Sequence, residues 1–272
     1  MTAQAILTDP AALSRNRARA TAEGLFLHHA AADEIEDRLQ EVNRTFTKGV
    51  VVTDFFDLWS ARLPALQVCP ASETLPLEVA SRDLIVHAMS LHWANDPVGQ
   101  LIQSRRALMA DGLFLSVAFG GQTLNELRSC LAQAEVALSG GISPRVAPMA
   151  ELRDMGGLLQ RAGFALPVAD SLPLRVEYRD IWHLMHDLRA MGETNALEGR
   201  LRRPTARGVL SQAGSLYREH FGTKGGGITA TFELIFLTGW APDDSQPKPL
   251  RPGSAQQRLA DALQTQETKL RN

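Results

Sequence analysis

Residues 83–121, DLIVHAMSLHWANDPVGQLIQSRRALMADGLFLSVAFGG, decide the fold class. Positions 84–90 and 113–119 are apolar nearly throughout rather than alternating, the pattern of parallel strands covered on both faces. Between them, 97–109 has the spacing of an amphipathic helix, and Asp111-Gly112 reads as a turn into the second strand. Strand, loop, helix, turn and strand make the repeating unit of a doubly wound α/β sheet.

The chain upstream of this unit does not match it. A nucleotide-binding sheet of this kind opens with a strand and a glycine-rich turn, because only glycine lets backbone N–H groups come close to the ligand without strain. Here 50–63 reads VVVTDFFDLWSARL, and no glycine occurs between Gly49 and Gly99. Residues 50–54 form a short β-branched strand, 55–62 a stunted helix, and 65–69 a second short strand ended by Pro70. The first half of the sheet is therefore shortened.

Working outward, 25–43 carries Leu25, Leu27, Ile35, Leu39 and Val42 at helical spacing and leads into the first strand. Downstream of Gly120-Gly121, a helix over 122–138 places Leu124, Leu127, Leu131, Ala134 and Leu138 on one face. Thr123 followed by Glu126 has the form of a capping box. A helix over 149–162 ends at Gly163, strands are expected at 164–169 and 174–178, and helices at 181–191 and 205–221. After the glycine run 225–227, 230–240 is the final strand. The resulting organisation is an N-terminal helical segment (1–45), an α/β domain (46–242) with a helical insertion at about 180–222, and a tail (243–272) rich in Pro, Gln and charge.

Composition narrows the partners. The chain has 272 residues, 44% hydrophobic and 21% charged, with net charge -2 and a pI near 6.4, so no basic surplus argues for nucleic acid or an anionic membrane. No apolar run reaches the length of a membrane span. Cys69 and Cys130 show neither C-x-x-C spacing nor a neighbouring His cluster, so no metal site is expected and a reducing, cytoplasmic setting is. No G-x-S-x-G elbow or cysteine with a base partner supports nucleophilic catalysis.

Longer motifs carry a family resemblance. SLHWAND (90–96), DGLF (111–114), FGGQTLNELR (119–128), GISPRVAP (141–148), RDMGGLLQRAGF (153–164), DLRAMGETNAL (187–197), TGWAP (238–242) and KPLRPGSA (248–255) resemble the class I methyltransferase-like proteins of the respiratory complex I assembly factor 5 type, including alphaproteobacterial relatives. The resemblance implies a Rossmann-like, mostly parallel seven-stranded sheet with an antiparallel C-terminal strand, and S-adenosylmethionine bound at the carboxyl ends of the first strands. It also implies a protein partner in respiratory complex I maturation, where the eukaryotic relative hydroxylates an arginine rather than methylating it.

Against that pattern, Asp54-Phe55-Phe56-Asp57 occupies the glycine turn, where bulk fills the space a cofactor needs. The second strand with its ribose acid is missing, and Ala71 stands where an adenine-binding acid is usual. Two readings stay open: an assembly or interaction factor with a degenerate cofactor site, or an active enzyme whose cofactor loop is rebuilt from Asp54, Asp57 and the segment 69–73; the candidate cofactor contacts are Asp54, Glu73, Ser90 and Gly120. A third is a different ligand held by His92, Glu193 and Asn195. His92 follows a strand at its carboxyl end and could shuttle a proton. Glu193 and Asn195 follow Gly192 in the helical insertion and could close over that edge, as pocket or partner contacts. Trp93, Arg145 and Arg153 are second-rank candidates. A sheet edge exposed by the lost strand would need cover, including from a second copy of the chain.

Overall fold

The computed structural model describes residues 6–247, 261, 264 and 265. The KPLRPGSA motif and most of the expected tail lie outside the described residues. One compact unit ends at Pro242, and residues from Asp243 onward form a second.

Six strands form one sheet in the order β2-β1-β3-β4-β6-β5. They are β1 (Gly49–Val52), β2 (Gln67–Cys69), β3 (Arg82–Ala88), β4 (Leu108–Phe119), β5 (Ala165–Tyr178) and β6 (Ile228–Trp240). β2, β1, β3 and β4 run parallel, and β6 is antiparallel to both β4 and β5. The sheet thus has one strand fewer than the resemblance implies. The short strand before Leu75-Pro76-Leu77 pairs directly with β1.

Among the described residues, eight α-helices flank the sheet: α1 (Pro10–Arg17), α2 (Phe26–Glu41), α3 (Phe56–Arg62), α4 (Pro97–Ala107), α5 (Asn125–Ser139), α6 (Leu152–Arg161), α7 (Ile181–Ala190) and α8 (Arg207–Phe221). The apolar strands feed two cores. Leu84, Val86 and Ala88 of β3 and Leu113, Leu115, Val117 and Phe119 of β4 join the core under α2, α5, α7 and α8. Ile85, Phe114 and Ala118 join the other, with Leu101 of α4 and Leu159 of α6. Each buried Val, Leu, Ile or Phe side chain contributes about 1.5–3 kcal/mol, which is why these strands show no regular polar alternation. The exceptions are Ser116 in β4 and His87 in β3, both buried, with His87 3.2 Å from Gln100. Burial pushes the His87 pKa down to about 4.

Several local expectations change. Asp111-Gly112 is not a turn but a bulge inside β4: Asp111 takes φ +55°, and the register with β3 shifts between Arg82 and Leu84. The two strand pieces at 164–178 are one 14-residue strand. β5 lies at the sheet edge, where one side of the backbone needs no partner, so Pro173 does not interrupt it. The Thr123/Glu126 capping box does not form. Thr123 Oγ1 instead accepts from Glu233 N at 3.1 Å, and the Glu126 carboxylate accepts from Thr231 N at 3.2 Å and from its hydroxyl. Both side chains are drawn across to β6, and Leu124 opens α5 in the left-handed region.

The N-terminal segment packs onto the insertion. Thr8 bridges Leu197, and Asp9 N donates to Ala196 O at 2.8 Å. Asp9 also pairs with Arg200 at 2.7 Å, while Asn16 Nδ2 donates to Thr194 O at 2.9 Å. Gly192 has φ +79°, and a Cβ there would stand 3.0 Å from Arg17 Cα, so the close approach requires glycine.

Candidate functional site

The carboxyl ends of β1 and β3 are where an open α/β sheet presents ligands. At the end of β1, Asp54 forms an ion pair with Arg17, whose side chain is only 6% exposed, and accepts from Ala71 N at 3.2 Å. Arg17 also donates to Met89 O at 3.4 Å, just past the end of β3. Phe55 starts α3 with φ -107° and turns inward, its ring 4.0 Å from that of His28 and 5.5 Å from the Arg17 guanidinium. Phe56 points outward and is 43% exposed. The expected filling of this region is therefore half right: Phe55 fills, but a cleft of about 580 Å³ remains between Arg17, Asp54, Phe56 and Arg62.

Beyond β3, Met89 takes φ +50° and the chain makes a single 3-10 turn, Leu91–Trp93. The turn aims His92 and Trp93 at Glu193, which follows α7 and Gly192. Trp93 Nε1 donates to Glu193 Oε2 at 2.6 Å, and His92 Nε2 lies 3.3 Å from the same oxygen. Phe119 N lies 3.5 Å from His92 Nδ1, on the other side of the ring. The Glu193 side chain is 5% exposed. Burial alone would raise its pKa, but His92, Arg17 and the Trp93 N–H outweigh burial and hold it at about 2. Glu193 is a buried carboxylate, and among the described residues its Oε1 has no hydrogen-bond partner.

Glu193 and Trp93 line a second cavity, of about 280 Å³, whose other walls include Phe119, Leu127, Met185 and Phe232. Arg145 and Asn195 also border it. Asn195 spends its amide on Pro144 O (2.8 Å) and Leu197 N (3.0 Å), holding the insertion against the 143–147 loop. Glu135 clamps Arg145 at 2.7 Å, and Arg145 donates to Thr205 Oγ1 at 2.5 Å.

The other candidates are not gathered there. Ser90 donates to Ala88 O at 3.2 Å. Gly120 serves packing rather than a ligand, since a Cβ would lie 2.5 Å from Glu233 Oε2 and 2.6 Å from Ile235 Cδ1. Glu73 is exposed, and its backbone carbonyl accepts from Gln103 at 2.9 Å. Arg153 borders neither cavity. Three residues that sequence reasoning passed over complete the region. Arg17 comes from the N-terminal segment, Trp59 donates to His28 Nδ1 at 3.4 Å, and His28 is wholly buried. Burial pushes the His28 pKa down to about 3, and among the described residues its Nε2 has no partner. The one sequence signal was a histidine on an apolar helix face, at 27–32.

No group of three His, Cys, Asp or Glu side chains among the described residues could hold a metal ion. No described helix is long and apolar enough to cross a membrane.

No protein-family model matches the chain. Among curated proteins, it is 35% identical over 220 residues to the mitochondrial arginine-hydroxylase NDUFAF5 of Danio rerio, covering 81% of this chain and 68% of that protein. The chain belongs to the NDUFAF5-type, class I methyltransferase-like family. The Homo sapiens protein of the same name is 37% identical over 71% of this chain, which spans 56% of its length. The malonyl-[acyl-carrier protein] O-methyltransferase of Methylovorus sp. is 36% identical over 64% of this chain and 56% of its own. Among solved structures, the Bacillus subtilis YcgJ protein superposes with a TM-score of 0.45 at 14% identity, over 72% of this chain and 83% of that one.

Proposed function

We propose that this family member binds a partner protein by taking an arginine side chain into the cavity at Glu193, and that it no longer holds S-adenosylmethionine with ordinary affinity. The observation that carries the first part is the free Oε1 of Glu193. A buried carboxylate held ionised, with one oxygen committed to Trp93 and His92 and the other buried without a partner among the described residues, suits a cation that brings its own hydrogen-bond donors. A guanidinium does so, and the Trp93 and Phe119 rings offer it aromatic faces. The apolar walls accept the methylene stem. The relatives named arginine-hydroxylase support the same side chain. In the setting implied by the resemblance, the partner is a respiratory complex subunit under assembly, met in the cytoplasm.

The cofactor half supports the second part. Asp54 is already engaged by Arg17 and Ala71 N, no glycine frees the backbone between Gly49 and Gly99, and Gly120 is backed by Glu233. These residues do not fit an adenosyl cofactor. Each polar group left unpaired on binding costs about 1–3 kcal/mol, so several such losses abolish useful affinity. Isothermal titration with S-adenosylmethionine is expected to give no saturable heat, and low-micromolar binding would overturn this part. The cleft of about 580 Å³ beside Asp54 favours the second reading, an active methyltransferase or arginine-modifying enzyme with a rebuilt site. The same titration separates the two.

A further inference from the structure

We propose that the face around the mouth of the Glu193 cavity docks an extended acidic segment of the partner protein, whose carboxylates meet Arg203 and Arg207 on either side of the inserted side chain. This rests on the reading of the cavity given above and extends it from one side chain to its flanks.

The mouth is a continuous surface built from two stretches, 138–147 and 198–210. A Cβ at Gly208 would lie 3.8 Å from Leu138 Cδ1, and one at Gly199 would lie 3.7 Å from Pro144 Cγ. Arg145 and Thr205 join the stretches by their 2.5 Å hydrogen bond, and both line the cavity.

Most charges on this rim are already neutralised. Arg200 and Arg202 pair with Asp9, and Arg202 also with Glu198. Glu135 is committed to Arg145 and Ser143. Arg203 and Arg207 are exposed, and among the described residues neither side chain has an ion pair or hydrogen bond. In the chain they stand two residues to each side of Thr205, which lines the cavity, and on the proposed reading a segment whose central residue enters the cavity carries its neighbours past one arginine and then the other. The unspent charge of the rim is therefore positive, while the cavity floor is negative. That polarity fits an arginine bracketed by acids and rejects one bracketed by lysines.

The same surface exposes Leu138 (57%) and Ile142 (68%). Aliphatic side chains beside paired arginines suit a peptide with mixed acidic and apolar residues. Nucleic acid would call for aromatic stacking platforms and a wider basic field than a chain of net charge -2 provides.

The test uses the full chain and fluorescent peptides with one central arginine, flanked by glutamates, glutamines or lysines. At low salt the glutamate-flanked peptide is expected to bind about tenfold more tightly than the glutamine-flanked one, the sum of two exposed pairs. The preference should shrink in high salt. Arg203→Glu with Arg207→Glu should remove or reverse the preference while the thermal midpoint holds. A flank preference that is absent, or that survives this double reversal, overturns the proposal. So does displacement of the peptide by a single-stranded oligonucleotide at lower concentration than by unlabelled peptide. Replacing the central arginine by norleucine tests the cavity separately. If affinity is unchanged but the flank preference still depends on Arg203 and Arg207, the docking surface stands and the arginine pocket falls.

Discussion

Replacing Glu193 by glutamine keeps the side chain's shape and its acceptor for Trp93 Nε1–H, but removes a charge that the fold holds ionised. Burial opposes that charge, yet His92, Arg17 and Trp93 together depress the carboxyl from 4.5 to about 2. A depression of this size corresponds to roughly 3 kcal/mol of folding stability. Because the folded value lies below the unfolded one, this stability is fully present above pH 4.5 and is lost as pH falls toward about 2. Glu193→Gln should therefore be less stable than wild type by about 1–3 kcal/mol at neutral pH. The gap should narrow by about 1.4 kcal/mol at a pH of roughly 3.5. Urea denaturation of both proteins across this range, followed by tryptophan fluorescence, measures the gap directly, and carboxyls common to both cancel. An equal gap at both ends of the range would refute the account of Glu193 as a buried, ionised group.

Gly192→Ala forces a β-carbon into the left-handed region and against Arg17 Cα, so it should cost at least about 1–2 kcal/mol in urea denaturation and increase proteolytic cleavage within 8–25. His87 is held neutral in the fold, with its pKa lowered from 6.5 to about 4, so its contribution is lost as pH falls below 6.5. Wild type should lose about 2 kcal/mol from this group between neutral pH and roughly pH 5, and His87→Leu should lack that component when both are denatured at the two pH values.

The central unit was legible because its signals are local. Two apolar strands, the amphipathic spacing between them and the absent glycines at 54–57 are all carried by adjacent residues, and Asp96 caps α4 by accepting from Gly99 N. The site was legible only in pieces. His92 stood out as a residue at a strand's carboxyl end and Glu193 as polar sequence after a helix-ending glycine, but their 101-residue separation carries no signal of contact. Arg17 and His28 reach the site because the N-terminal segment folds back on the insertion, which no local pattern encodes. Thr123 and Glu126 show the opposite failure. They satisfy a local capping rule, but the backbone of β6 offers them partners that a solvent-exposed helix start would not. β5 reads as two pieces from its sequence, and only its place at the sheet edge shows how one strand runs on through Pro173.

The joining of Thr8 to Leu197 and Asp9 to Arg200 also governs the order in which the site can be assembled. Arg17 and Gly192 meet only after nearly two hundred residues have left the ribosome, so on a growing chain the first helix has no insertion to lie against. The loop closed by these contacts is long and its ends are late, which places their formation after the central strands have paired. Until then Glu193 has neither its cationic neighbour nor its enclosure. The cavity at Glu193 therefore forms late, once the first helix, the insertion and β6, whose Phe232 lines it and whose pairing joins β5 to the sheet, have all come together.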